Sequence, residues 1–105
     1  MSDTSESTVQ EAYDALRGDG AVLIDVRQPW EYEEQRIPGA TLIPLSEVPD
    51  RISEIPADKD VFVHCEMGGR SAKAVDFLVQ NGRPRSRNVA GGINAWKAAG
   101  FPVDQ

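Results

Sequence analysis

Of the side chains that cross-link chains or hold zinc, this sequence has very little: one cysteine, Cys65, and one histidine, His64. A single cysteine excludes an internal disulfide and any metal cluster built from cysteines. A lone histidine argues against a zinc site. Long apolar runs are also missing. No stretch approaches the roughly 18 residues of a membrane span. The opening "MSDTSEST" lacks the basic start and apolar core of a signal peptide. The expectation is a soluble protein of a reducing compartment, the cytoplasm, with no membrane partner.

Positive charge is scarce too: 11 Lys and Arg stand against 17 Asp and Glu, a formal charge of −6. That balance argues against nucleic acid as a partner. The deficit is uneven. Residues 1–60 carry 14 acids and 5 bases, net −9, whereas residues 61–105 carry 3 acids and 6 bases, net +3. The half that holds the cysteine is the less acidic one.

What is present suits one small domain. With 105 residues at 40% hydrophobic, the chain can bury a modest core. The polar residues 1–8 read as a flexible tail before a domain over residues 9–105. Thr8 and Glu11 have capping-box spacing ahead of "VQEAYDALRG", where Val9, Tyr13 and Leu16 share a helical face and Gly18 marks a stop. "AVLID" (21–25) and "DVFVH" (60–64) are continuous apolar runs, the pattern of strands covered on both faces. Pro29 suits the start of a short helix over "PWEYEEQ". "ATLI" leaves room for a short strand. "SEVPDRISEI" reads as a helix capped by Ser46 with Pro49 in its first turn. The strongest helix is "SAKAVDFLVQNG", with a stripe of Ala74, Val75, Leu78 and Val79 and a stop at Asn81-Gly82. "SRNV" offers another strand and "GINAWKAAG" a last helix. Strands alternating with helices predict an α/β fold, a mostly parallel sheet flanked by helices on both faces.

Cys65 sits where such folds bind ligands, just past the carboxyl end of a strand. It opens the loop "CEMGGRS", which feeds the best helix. Backbone N–H groups of a loop of this kind can form an anion-binding nest, and the helix start adds partial positive charge. Gly68 and Gly69 permit the positive φ angles that the curvature needs. Arg70 adds a permanent positive charge. These features favour the thiolate, the nucleophilic form of cysteine. Glu66 opposes them unless its side chain points to solvent. The plain alternative, a small buried hydrophobe, fits the composition but not the position before a glycine-rich loop with Arg and Ser at the helix start.

"CEMGGRS" resembles the active-site loop of the rhodanese-like sulfurtransferases. "LIDVRQPWEYEEQRIPGATLIPL" (23–45) and "NVAGGINAWKAAGFPV" (88–103) resemble two further stretches of that family, in the same order. The resemblance implies a single rhodanese-like domain that moves sulfane sulfur through a persulfide on Cys65, with ping-pong kinetics. The donor would be thiosulfate or a persulfide, and the acceptor cyanide, a thiol or a sulfur-acceptor protein. No metal or organic cofactor is implied. By the same resemblance, N–H groups of Glu66, Met67, Gly68, Gly69 and Arg70 would hold the outer sulfur, and Ser71 would donate to the inner one. Asp25 and Arg27 match the family's "DVR" and are expected to tie the neighbouring loop in place, together with Glu31. Gly91, Gly92 and Trp96 are assigned to turn geometry and packing. Trp30 is either packing or the rim of the site. One departure stands out: Gln35-Arg36 replaces the family's usual Gly-His, so that turn cannot require a strained φ here.

The nearest enzymatic alternative is a phosphatase or arsenate reductase of the related fold. Those phosphatases place five residues between Cys and Arg, wide enough for a tetrahedral oxyanion; here there are four, which suits a single sulfur atom. A binding or sulfur-relay module would use the same fold, although inactive modules usually lack the cysteine. The cluster Arg83, Arg85 and Arg87 reads as a solvated turn or, alternatively, as a docking patch for an acidic acceptor protein.

Overall fold

The computed structural model describes residues 5–105. Its elements, in chain order, are β1 (Glu6–Ser7), α1 (Val9–Leu16), β2 (Ala21–Asp25), α2 (Pro29–Glu34), β3 (Thr41–Leu42), β4 (Asp60–His64), α3 (Gly69–Gln80), β5 (Ser86–Val89) and α4 (Gly92–Ala98). The strands form one sheet in the order β1-β5-β4-β2-β3. Every pairing in it is parallel. The central strands β2 and β4 are the two apolar runs of the sequence, paired in register from Ala21↔Asp60 to Asp25↔His64.

Side chains alternate across these strands, and the core divides accordingly. Ile24, Val61 and Val63 face one side, against Ala74, Val75 and Leu78 of α3. Leu23, Phe62 and Val89 face the other, against Ala12 of α1 and Ile93 and Trp96 of α4. Each such side chain taken fully out of water contributes about 1.5–3 kcal/mol. Trp96 also donates from Nε1 to the Pro102 carbonyl at 2.8 Å and meets Phe101 edge-on. It is the packing residue the sequence suggested.

Local expectations hold at several helix ends. Thr8 Oγ1 accepts from Glu11 N–H, and Glu11 Oε1 accepts from Thr8 N–H, a complete capping box. Pro29 begins α2, and α3 stops at Asn81, with Gly82 beyond it at φ 90°.

Three readings need correction. Residues 1–4 of the expected tail lie outside the described residues, but residues 6–8 are built into the fold. Glu6 and Ser7 pair with Asn88 and Val89 at the sheet edge, and Thr8 caps α1. Short polar segments carry no periodicity, so the pairing was invisible in the sequence. The helix expected over residues 46–55 is instead two single 3-10 turns, Leu45–Glu47 and Ile52–Glu54. Pro49 has no N–H to offer the Leu45 carbonyl four residues back, and Val48 N–H takes that carbonyl in a tighter turn. Val79 is 39% exposed and falls outside the buried stripe of α3, which is completed by Ser71 instead.

Candidate active site

Cys65 follows β4 directly, between β4 and the start of α3. From β4 the chain continues to β5 on one side, and from β2 it continues to β3 on the other. The crevice at this reversal, beyond the carboxyl ends of β2 and β4, is where open α/β sheets bind ligands. The cysteine is 2% exposed, yet its side of the loop lines a concavity of about 340 Å³ with Glu66, Met67, Gly69 and Arg70.

The loop curls around the sulfur. Sγ accepts from Gly68 N–H at 3.1 Å, Ser71 N–H at 3.4 Å and Ser71 Oγ at 3.3 Å. Gly68 makes the curl possible: its φ of 112° is left-handed backbone that side chains rarely adopt. Gly69 has no such angle and simply opens α3, so one glycine, not two, supplies the turn. Burial of Cys65 works against ionisation. The Ser71 hydroxyl, then the N–H groups of Ser71, Gly68 and Met67, outweigh it and hold the thiol below its ordinary range.

The other glycine the loop depends on is Gly92. A Cβ there would lie 2.4 Å from the Cys65 carbonyl oxygen and 2.5 Å from that of Glu66. Without one, α4 comes close enough for Ile93 N–H and Asn94 N–H to reach those same two carbonyls, at 2.9 and 3.2 Å. The turn role assigned to "GG" is thus a clamp on the backbone of the cysteine loop.

Arg70 does not stand free beside the sulfur, as the sequence suggested. Its guanidinium forks onto Glu31 of α2, at 2.7 and 2.9 Å. That pairing is the largest cause lowering the Glu31 carboxyl from 4.5 to about 2. Glu31 therefore joins the loop helix rather than the Asp25–Arg27 pair with which it was grouped. Glu66 is exposed to solvent at the mouth, where it lines the same concavity as Cys65.

Asp25 and Arg27 are both buried and bonded through two guanidinium nitrogens. Arg27 also donates to the Gln35 carbonyl at 2.7 Å, which ties down the chain after α2. Gln35 is extended, φ −165°, so the residue that replaces a glycine there is under no strain. His64, side by side with Asp25 in the register, is fully buried. Its Nδ1 lies 3.1 Å from the Cys65 carbonyl oxygen, and burial pushes the imidazole below the usual histidine range. The neutral ring thus braces the loop from the face opposite α3. Trp30 is 62% exposed and walls a groove of about 150 Å³ that shares Glu66 with the mouth. It is rim, not packing.

The arginine cluster lies elsewhere. Arg83 donates to the carbonyls of Ile52 and Ile55, and Arg85 to Asp60 and the Asp58 carbonyl. Both sit at the amino ends of β4 and β5, the end of the sheet away from Cys65.

Two residues were missed by sequence reasoning. Asn88 is 5% exposed, and its Oδ1 is 2.5 Å from Ser71 Oγ. Its Nδ2 donates to the Gly68 carbonyl and to Glu6 of β1. A polar residue inside an apolar strand was the available signal for Asn88. Glu6 offered none.

A family model for the rhodanese-like domain matches residues 8–99. The chain belongs to the rhodanese-like domain family. A sulfurtransferase of Allochromatium vinosum is 40% identical over 94% of this chain and 90% of its own. The thiosulfate sulfurtransferase GlpE of Pseudomonas syringae is 37% identical over 79% and 78%. A rhodanese-related protein of Thermoplasma volcanium superposes with a TM-score of 0.86 at 33% identity, covering 94% of this chain and 96% of that one. Three further relatives are longer, and this rhodanese-like chain spans 27–60% of their lengths.

Proposed function

We propose that this rhodanese-like domain is a sulfurtransferase that carries sulfane sulfur on Cys65 as a persulfide. The observation that carries the reading is the convergence of two N–H groups and the Ser71 hydroxyl on a buried sulfur that opens to a mouth. The relatives named sulfurtransferase support it.

In the proposed cycle the geometry serves two steps. The Cys65 thiolate attacks the outer sulfur of thiosulfate, forming the Sγ–S bond. The S–S bond of thiosulfate breaks, and its electron pair leaves with sulfite. An acceptor nucleophile, cyanide or a thiolate, then attacks the outer sulfur, and Sγ departs as thiolate. Loop N–H groups stabilise the negative charge on sulfur in both steps. The Arg70–Glu31 pair fixes the far wall of the loop instead of supplying free charge. Four residues, Glu66 to Gly69, separate Cys65 from Arg70, a cup matched to one sulfur atom rather than to a phosphate.

The test is the intact mass of the reduced protein after brief exposure to thiosulfate, beside Cys65→Ser. The expected result is a gain of one sulfur atom, absent from the variant and reversed by cyanide. Failure with both thiosulfate and a persulfide donor would overturn the reading in favour of a binding module.

A further inference from the structure

Ser71 has one hydroxyl hydrogen and two acceptors in reach, Asn88 Oδ1 at 2.5 Å and Cys65 Sγ at 3.3 Å. It cannot serve both at once. Nor can the Asn88 amide turn away. Its Nδ2 donates to Glu6 Oε2 at 3.0 Å and to the Gly68 carbonyl at 3.2 Å. A flipped amide would set Oδ1 against two other acceptors. The strand register imposes this arrangement, since Glu6, Asn88 and Val63 are direct neighbours across β1, β5 and β4. All three point to the face that α3 covers, where Ser71 is fully buried.

We propose that Asn88 is a positioning residue that governs the Ser71 hydroxyl: it takes the hydroxyl hydrogen while Cys65 is a thiol and yields it to Sγ when Cys65 is a thiolate. In the thiol state Sγ–H donates to Ser71 Oγ and the hydroxyl donates to Asn88. On ionisation the Sγ proton leaves to solvent through the mouth, and the hydroxyl hydrogen swings to sulfur. Asn88 Oδ1 then loses its donor. Ionisation is therefore opposed by Asn88, which acts as a brake on the free thiol. Glu6, in the segment that looked like a tail, holds the brake in place.

The inference rests on Cys65 as the reactive sulfur, but its test does not depend on sulfur transfer. Cys65 is the sole cysteine, so thiolate absorbance against pH reports it directly. The charged and titratable groups around it are Glu6 on β1, Asp25 at the end of β2 with Arg27 just beyond it, His64 on β4, Glu66 of the loop, and Arg70 of α3 paired with Glu31 of α2. In Asn88→Ala only Glu6 loses a partner, the Asn88 amide, and the Ser71→Ala background separates that effect from the one on the hydroxyl. Asn88→Ala is expected to raise the thiolate fraction about fivefold at a fixed pH below the midpoint, the effect of one net hydrogen bond. Asn88→Asp is expected to lower it, because a carboxylate holds the hydroxyl more firmly and adds negative charge. In a Ser71→Ala background the effect of Asn88→Ala should vanish. An unchanged titration in Asn88→Ala, or an equal shift with and without Ser71, would overturn the proposal. Should Asn88→Ala not fold, Glu6→Ala serves: it should shift the titration in the same direction, with Glu6→Gln, which keeps the acceptor, restoring the wild-type curve. No shift in a folded Glu6→Ala would equally overturn it. If the titrations behave as expected and no persulfide forms, the sulfur-transfer reading fails and this one stands.

Discussion

At Cys65, ionisation is a contest between burial and donated hydrogen bonds, and the bonds hold the thiol below its ordinary range. Removing the strongest should be visible. Ser71→Ala deletes the hydroxyl that lowers the thiol, so the thiol should rise and alkylation by iodoacetamide at neutral pH should slow about fivefold. An unchanged rate would show that the N–H groups of Gly68 and Ser71 suffice. Gly92 is the other position where one atom decides. Gly92→Ala adds a Cβ 2.4 Å from a backbone oxygen at a φ of 58°. The combined left-handed strain and overpacking should cost about 2–4 kcal/mol, read as a lower Tm in thermal unfolding.

Elements are joined to the site by charged groups whose effects can be separated. Glu31 of α2 and Arg70 of α3 form the link across the loop. The Glu31 carboxyl is depressed from 4.5 to about 2. A group with a depressed folded-state pKa contributes stability that is fully present above its unfolded value. That contribution is lost as pH falls through the folded value. Denaturant unfolding should therefore show this contribution intact above about pH 4.5 and declining toward pH 2. Glu31→Gln should lower stability at neutral pH by about 1 kcal/mol and remove that part of the acid dependence. At the other end of the sheet, Arg83 holds two carbonyls of the segment around the second 3-10 turn. Arg83→Ala should cost about 1–3 kcal/mol, while persulfide formation by the folded variant stays unchanged.

The whole molecule separates two ends that the sequence could not. Cys65 follows the carboxyl end of β4, whereas Arg85 is bonded to Asp60 at its amino end. A five-residue strand spans about 16 Å at roughly 3.3 Å per residue. Two of the three clustered arginines are also engaged in holding loops. Their placement argues against the docking-patch reading of the cluster. Reversing the charge of Arg85 and Arg87 should leave both thiosulfate turnover and transfer to a protein acceptor as they were. Selective slowing of the protein acceptor would reinstate the patch. Exposed Trp30 and Met67 lie instead at the same end as the mouth.

Periodicity and punctuation were enough to read the alternation of central strands and helices from the chain, but not the edge strand β1 or the two 3-10 turns. Two apolar runs became the central strands, Thr8 and Glu11 became a capping box, and Cys65 was assigned to the loop where a strand hands over to a helix. Those features are local, and local sterics and burial act on neighbouring residues whatever else the chain does. The tertiary structure alone decided which groups meet. Arg70 found Glu31, 39 residues away, and Asn88 found Glu6, 82 residues away. Strand order and register set those meetings, and no spacing in the sequence encodes them. The sulfur and its loop were therefore legible beforehand. The side chains that hold the loop in shape became legible only when the sheet brought β1, β5 and β4 side by side.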